Sequence, residues 1–334
     1  MSKVEATDTA AAAAAPVEKR NTPLRLAVYA VSGALLLALP LFSGDFYINL
    51  ASQILIAAIF ALSLNLLVGY GGLSSLGHAS FLGLSAYFAA WFFTRGGMDH
   101  TSSALIALFG TTVVAGLFGL IALRASGLGF LMITLALSQV LWGVAFRWSS
   151  VTNGDNGLSG LTRPMPFGLD INGADSFYWF SLVIFAVSFV LMAVFTESAF
   201  GSALRGTRDQ PRRMAALGFD VWLIRWITFV YAGFWGAVAG LLYVYYHKYI
   251  HPTSLSITAS AEGLLAVIAG GSGTLGGPVV GAALVMILKN YASAYVERWN
   301  MLLGLVFLFI VIFMPEGLVP GTKRLWKRFT GGGK

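Results

Sequence analysis

The residues of this chain that could do chemistry are concentrated in two glycine-rich stretches. The first, GYGGLSSLGHASFLGLSAY at residues 69–87, has five glycines, four serines and one histidine within a strongly apolar region. The second, AGGSGTLGGPVVGAA at residues 269–283, has six glycines. In lipid, small residues let helices approach closely, whereas hydroxyl and imidazole groups can line a path for a polar solute. Both interpretations, close packing and a solute pathway, stay open.

The pathway hypothesis uses the small and polar residues of both stretches. Two glycine-broken segments in corresponding halves of a transporter often mark the route of the solute. The candidate pathway residues are Gly71, Gly72, Ser74, Ser75, His78, Gly271, Ser272 and Gly273. In the packing hypothesis, a neighbouring helix instead packs against a smooth face formed by Gly77, Ser80 and Ser85. Under either hypothesis, the glycines at 69, 71 and 72 predict a break between two spans, because glycine loosens a helix.

The sequence contains no recognisable catalytic or metal-binding set. It has no cysteine, its four histidines are scattered, and neither HExxH nor the phosphate-binding GxxxxGK[ST] occurs. Residues 271–276 match GxGxxG, but a dinucleotide site also needs a preceding strand within a βαβ unit, and both flanks here are apolar. We therefore predict no catalytic residue, no metal site and no cofactor bound by this chain.

The composition shows which elements must position these residues. The 334 residues are 57% hydrophobic and 10% charged, whereas a soluble domain is roughly 25% charged. We predict an all-α polytopic membrane helical bundle with about 8–10 transmembrane helices. The two short runs at 259–271 and 277–291 could instead form a re-entrant pair. The apolar runs are 24–42, 46–68, 76–94, 102–124, 128–147, 177–195, 223–243, 259–271, 277–291 and 300–314.

Lysine and arginine predict the orientation, because they are enriched in cytoplasmic loops. The net charge of +7 is therefore assigned to such loops and not to nucleic-acid binding. We predict a flexible cytoplasmic tail at 1–23, a transmembrane domain at 24–320 and a basic cytoplasmic tail at 321–334. Within the domain, 196–222 is predicted to be cytoplasmic and 148–176 periplasmic.

The cytoplasmic segment carries signals for one short helix. Asp209 can cap a helix, Pro211 is tolerated in a first turn, and Gly218 suits a left-handed stop. The predicted helix covers about two turns, which is too short to be stable alone in water. It should therefore dock, either on lipid headgroups through its arginines or on a soluble partner.

Several stretches resemble those of one transporter family. They are LNLLVGYGGLSSLGHASFLGLSAY (64–87), GLGFLMITLALSQ (127–139), TNGDNGLSGL (152–161), FGSALRGTRDQPRRMAALGFDV (200–221), AEGLLAVIAGGSGTLGGPVVGAA (261–283) and MPEGLVPG (314–321). In this order they resemble the branched-chain amino-acid ABC permeases of LivM type. The resemblance covers nearly everything between residues 45 and 321.

The resemblance implies that several different subunits share the transport function. Similar permeases pair with a homologous second permease, two cytoplasmic ATPase subunits that use ATP, and a periplasmic solute-binding protein. They import branched-chain or related amino acids across the cell inner membrane, in contact with lipid, and both termini are cytoplasmic. The residues implied in coupling to the ATPase are Arg208, Asp209, Pro211, Arg212, Arg213, Met214, Ala215, Ala216, Leu217 and Gly218.

Three other functions remain as alternatives. Within the family, the solute could be urea or a short amide. The chain could also be an ion-coupled secondary carrier with Glu262 and His78 in its relay, or a passive channel. Glu262 and Lys289 are the clearest charges within the apolar runs.

Overall fold

Helices make up most of the described chain beyond residue 44. The computed structural model describes residues 33, 36–40, 44–165, 170–295, 299–314 and 316–321. The chain divides into two units, Met1–Gly44 and Asp45–Lys334, and the second contains every element named below. The predicted tail at 1–23, most of the first apolar run and residues 322–334 lie outside the described residues.

The helices follow the apolar runs closely. Helix α1 continues into a π-helical turn at Leu66–Tyr70, and one α-helical turn, Ser149–Thr152, precedes the strands. The helices are α1 (Asp45–Asn65), α2 (Ala79–Thr94), α3 (His100–Ala122), α4 (Leu128–Arg147), α5 (Ala174–Glu197), α6 (Ala199–Asp209), α7 (Pro211–Ala216), α8 (Val221–His247), α9 (Ile257–Gly270), α10 (Gly276–Tyr295) and α11 (Trp299–Phe313).

Among the described residues, five helices are long and apolar enough to cross a membrane: α1 with its π turn, α3, α4, α5 and α8. Their mean hydropathy lies between 1.7 and 2.4. Three shorter apolar helices, Ala79–Thr94, Ile257–Gly270 and Met301–Phe313, accompany them. The chain is therefore an all-α polytopic membrane protein, as its composition predicts.

Helices α1 and α8 form the centre of the bundle. In their most apolar windows, 78% and 67% of the residues are buried, against 22% for α4. Helix α1 packs against α5, α8 and α10, while α8 packs against α2 and α3. Helix α4 is peripheral, and its exposed leucine and methionine, Leu128 and Met132, need lipid or another subunit to cover them.

A small antiparallel ladder lies at one end of the bundle. Strand β1 (Leu158–Ser159) pairs with β2 (Tyr249–Ile250). The 3-10 turn Pro252–Leu255 then folds back between helices: the side chain of Leu255 lies against Gly83 of α2, and the Leu255 carbonyl accepts from Ser138 Oγ at 3.4 Å. Helix α9 therefore begins inside the bundle.

This turn explains why the apolar run at 259–271 is short. Helix α9 has 14 residues and α10 has 20, and they pack closely on each other. Fourteen residues span about 21 Å at 1.5 Å each, less than the roughly 30 Å of a bilayer core. Helix α9 alone is therefore shorter than a bilayer core and packs along α10.

The bundle has two distinct ends. We call one the α7 end, which contains the C-terminal part of α1, the α6–α7 segment and the α9–α10 connection. The other is the ladder end, which contains the start of α1, the last turns of α8 and α10, and the two strands. Both glycine-rich breaks lie at the α7 end.

Candidate functional site

The two glycine-rich stretches meet at the α7 end. Asn65 Oδ1 accepts from the backbone N–H of Gly273 at 2.9 Å, and Asn65 Nδ2 donates to the Thr274 carbonyl at 2.9 Å. A Cβ on Gly69 would overlap both Asn65 Oδ1 and the Gly273 nitrogen. The contact is therefore between two main chains and requires glycine at position 69.

The predicted break after α1 is confirmed. The helix loosens into its π turn, and the Leu73 N–H donates to the Leu67 carbonyl at 2.8 Å. Gly72 then has φ of +66°, a conformation that glycine adopts at little cost. The chain leaves the helix there and re-forms one at Ala79.

Arg208, near the end of α6, contacts this break directly. Its Nη1 donates to the Gly69 carbonyl at 2.6 Å, and its Nε donates to Asp209 Oδ1 at 2.8 Å. A Cβ on Gly72 would lie 2.6 Å from Arg208 Cγ. The arginine thus fastens the α6–α7 segment to the end of α1.

The short predicted helix is confirmed, but its cap is not. Helix α7 has Pro211 in its first turn, and Gly218 follows it with φ of +86°. Asp209 was the expected N-cap, and this prediction is wrong, because Asp209 ends α6 and its carboxylate pairs with Arg208. Gln210 occupies the cap position without a side-chain hydrogen bond.

Nearly all of the predicted coupling residues on α7 are exposed. The exception is Met214, whose half-buried side chain lies against Gly206 of α6 and anchors α7 to the bundle. Leu217 is 65% exposed and Phe219 is 46% exposed, so an apolar edge faces outward. The exposed predicted residues are Pro211, Arg212, Arg213, Ala215, Ala216, Leu217 and Gly218.

Two of the candidate pathway residues are enclosed by protein. His78 is fully buried, its Nε2 is 2.8 Å from Ser63 Oγ, and its ring lies between those of Phe60 and Phe81. Ser75 is also buried, and its Oγ accepts from Gly77 N–H at 3.3 Å. This geometry favours the packing interpretation for both residues.

The other candidate pathway residues differ in how far they are exposed. Gly72, Ser74 and Ser272 are exposed, while Gly71 and Gly271 are buried. The remaining candidate, Gly273, forms the backbone contact with Gly69 that is described above. The structure thus brings the two stretches together at one point and leaves their hydroxyl groups dispersed.

Small residues also mark helix crossings in the bundle. A Cβ on Gly77 would overlap the Thr134 carbonyl of α4, and Ser85 Oγ donates to the Ala237 carbonyl of α8 at 2.8 Å. The predicted smooth face is therefore used, but its residues contact different helices.

The two charges that stand out most clearly in the apolar runs pair with each other. Lys289 Nζ lies 3.0 Å from Glu262 Oε2, joining α10 to α9. Within the described ranges, no three His, Asp or Glu side chains come together as a metal site would need. The pairing of Glu262 gives it a structural role between two helices.

A polar cavity of about 430 Å³ lies at the ladder end. Gln53 Nε2 donates to Tyr246 Oη at 2.9 Å, and Asn290 Nδ2 donates to Gln53 Oε1 at 3.3 Å. The sequence interpretation missed this site, although Gln53 and Asn290 stand out within apolar runs. Its polar lining residues are Asn49, Gln53, Arg163, Tyr246, His247 and Asn290.

Comparison with known proteins agrees with this architecture. The chain is 24% identical to the high-affinity branched-chain amino acid transport system permease protein LivM of Salmonella typhimurium, over 86% of this chain and 73% of the relative. It is 24% identical to a probable LivM permease of Methanocaldococcus jannaschii, over 78% and 90%. It is 26% identical to the LivH permease of Escherichia coli, over 41% and 46%. No solved structure gives a significant match.

A family model also covers most of the chain. The model for the permease component of branched-chain amino acid transport systems matches residues 46–312, which includes α1 to α10 and nearly all of α11. Both glycine-rich stretches, the α6–α7 segment and the polar cavity lie within the matched residues. This chain therefore belongs to the family of branched-chain amino acid transport system permease components.

Proposed function

We propose that this chain is one of two permease subunits of an ATP-driven importer for branched-chain amino acids. The second subunit is a homologous permease, which the partial similarity to LivH supports. Two ATPase subunits bind at the α7 end, and a solute-binding protein delivers the amino acid at the ladder end. The chain lies in the inner membrane with both termini in the cytoplasm.

One observation carries this proposal: a short exposed helix is fastened to the glycine break. Helix α7 has six residues and cannot be stable alone in water. The apolar residues that follow it, Leu217 and Phe219, are exposed and suit a protein groove better than bulk water. Arg208 connects the same segment to the Gly69 carbonyl, so motion of a docked ATPase would be transmitted to α1.

The charge distribution supports the orientation. The segment 196–222 carries Arg205, Arg208, Arg212 and Arg213, and such clusters are typical of cytoplasmic loops. The α7 end is thus the cytoplasmic end, and the loop 148–176, which contributes β1 to the ladder end, faces the periplasm.

The relatives support the solute class. Those described above are named as branched-chain amino acid permeases, which favours these solutes over urea or short amides. An ion-coupled carrier is less well supported, because Glu262 is paired with Lys289 and His78 is enclosed by aromatic rings.

The test is uptake of radiolabelled leucine by the complete importer in proteoliposomes, with ATP on the ATPase side. We expect accumulation only with ATP. In the variants Leu217→Asp and Arg212→Asp, we expect uptake and co-purification of the ATPase to fall at least about tenfold, as happens when a contact at an interface centre is lost. The unfolding temperature of the permease should not change, because both side chains are exposed.

The matched control is Lys248→Asn at the ladder end. Lys248 is exposed and has φ of +55°, which asparagine tolerates, so this variant should keep full ATPase binding. Full uptake by Leu217→Asp and Arg212→Asp would refute docking at α7. Uptake driven by a proton gradient without ATP would show a secondary carrier instead.

A further inference from the structure

Arg163 is a buried cation to which the described part of the chain supplies no carboxylate partner. It is 9% exposed, and its guanidinium lies 4.3 Å from the centre of the Phe177 ring. Its Nε donates to the Tyr245 carbonyl at 3.3 Å and its Nη1 donates to the Asn172 carbonyl at 2.9 Å. Among the residues that the structure describes, no Asp or Glu forms an ion pair with it. Buried charges are usually paired, because taking a charge out of water is costly.

The cavity beside Arg163 offers both hydrogen-bond donors and acceptors. Tyr246 Oη accepts from Gln53, so its own proton remains for a further group. Asn290 uses its amide nitrogen on Gln53 and on the Met286 carbonyl, and its Oδ1 remains as an acceptor. In the same way, Asn49 Nδ2 donates to the Asp45 carbonyl, and the Asn49 Oδ1 remains as an acceptor.

The rest of the lining consists of His247 and two apolar residues. Phe46 and Leu50 lie on the same face of α1 as Asn49 and Gln53 and border the cavity. The volume, about 430 Å³, falls within the roughly 300–1,000 Å³ of small-molecule sites. A ligand that matches this lining has an anionic group, a cationic group and an aliphatic part.

We propose that the cavity binds the zwitterion of an aliphatic amino acid during import. The carboxylate lies toward Arg163 and the hydroxyl of Tyr246. The ammonium group lies toward the side-chain amide oxygens (Oδ1) of Asn49 and Asn290. The aliphatic side chain lies against Phe46 and Leu50. This inference rests on the proposed function and adds a binding site to it, on the side from which the solute arrives.

The position of the cavity agrees with an entry site. It lies at the ladder end, while the glycine break and α7 lie at the opposite end of α1. Arg163 belongs to the segment between α4 and α5, and it bonds the end of α8 through the Tyr245 carbonyl. A solute in the cavity would therefore contact three parts of the bundle before the break at the α7 end is reached.

The test measures binding to the complete importer in nanodiscs, without the solute-binding protein. The probes are radiolabelled leucine, with unlabelled leucinamide and 4-methylpentanoate as competitors. Leucinamide lacks the carboxylate and 4-methylpentanoate lacks the ammonium group. We expect each competitor to bind at least about tenfold more weakly than leucine, since each loses one charge-assisted contact.

Variants then locate the site. We expect Asn290→Leu and Gln53→Leu to weaken leucine binding about tenfold, and Arg163→Gln to weaken leucine more than leucinamide, because only leucine loses a charge pair. Lys248→Asn, which lies outside the cavity at the same end, should bind like the unmodified importer. If Arg163→Gln does not fold, the Asn290→Leu variant and the two competitors still show whether leucine binds in the cavity.

The outcomes separate this proposal from the proposed function. Absence of leucine binding, equal binding of leucinamide, or full binding by Asn290→Leu would overturn the cavity as a site. ATP-driven leucine uptake by the same purified importer, reconstituted in proteoliposomes with its solute-binding protein, tests the function independently. Uptake without binding here would overturn the cavity alone, and absence of ATP-driven uptake would overturn the importer.

Discussion

Arg208 and Gly69 are 139 positions apart in the sequence, yet Arg208 Nη1 donates to the Gly69 carbonyl at 2.6 Å. The same glycine contacts Gly273 through the main chain, and Asn65 bonds the Gly273 N–H. Three segments that are distant in sequence therefore share one point at the α7 end. Displacement of any one of them must move the others or break these bonds.

The first prediction concerns this bond. Arg208→Ala removes a hydrogen bond from a charged donor, worth about 1.5–3 kcal/mol, and we expect the low end because the side chain is 37% exposed. ATP-driven leucine uptake should fall about tenfold, the equivalent of 1.4 kcal/mol, while the ATPase still co-purifies. Arg208→Lys should recover part of the uptake. Normal uptake by Arg208→Ala, with normal unfolding, would show that the bond does not transmit motion.

The second prediction tests the main-chain contact. Gly69→Ala would place a methyl group onto Asn65 Oδ1 and the Gly273 nitrogen, and overpacking of this kind costs about 1–3 kcal/mol. Thermal unfolding in detergent should therefore occur at a lower temperature. Gly143→Ala is the control, because nothing lies within 4 Å of its added Cβ, and alanine in a helix is more favourable than glycine by about 0.5–1 kcal/mol. Equal unfolding temperatures would contradict the contact.

The third prediction concerns the side chain that joins the two breaks. Asn65→Ala leaves the Gly273 N–H and the Thr274 carbonyl without their partner, and each unsatisfied buried group costs about 1–3 kcal/mol. Asn65→Asp keeps an acceptor for Gly273 but buries a carboxylate against the Thr274 carbonyl, so it should be at least as destabilising as Asn65→Ala. Chemical unfolding followed by tryptophan fluorescence measures both variants, and an Asn65→Ala variant as stable as the unmodified protein would contradict these bonds.

The fourth prediction separates packing from proton transfer at His78. Its Nε2 bonds Ser63 Oγ, and glutamine can supply a similar polar group without titrating near neutral pH. We expect His78→Gln to keep uptake within about twofold, within the range of a changed but satisfied hydrogen bond. His78→Ala should be less stable, because it leaves space between two aromatic rings. Dependence of uptake on a proton gradient that disappears in His78→Gln would instead support a relay.

Local features of the fold were predictable from sequence. Helix α7 and its stop at Gly218 depend on proline and glycine within a few residues, and the break near Gly72 depends on three neighbouring glycines. Such signals act through local backbone geometry and need no knowledge of tertiary contacts. The mistaken cap at Asp209 is the exception, because Arg208 competes for its carboxylate.

Long-range partners were not predictable in this way. Asn65 reads as one polar residue in an apolar run, and nothing near it indicates a partner 208 positions away. Arg163 reads as one charge in a polar loop, yet it is buried against the carbonyl of Tyr245, 82 positions away. Glu262 and Lys289 stood out as charges, but only the packing of α9 on α10 pairs them.

The shortness of α9 has a consequence for how this chain is made. Fourteen residues are fewer than the roughly 20 that a membrane insertase accepts as an independent span. The turn before α9 also needs partners from α2 and α4, such as the Ser138 hydroxyl that donates to the Leu255 carbonyl, because lipid offers none. Helix α9 must therefore enter the bilayer together with α10, after the earlier helices are in place, and these two helices mature late.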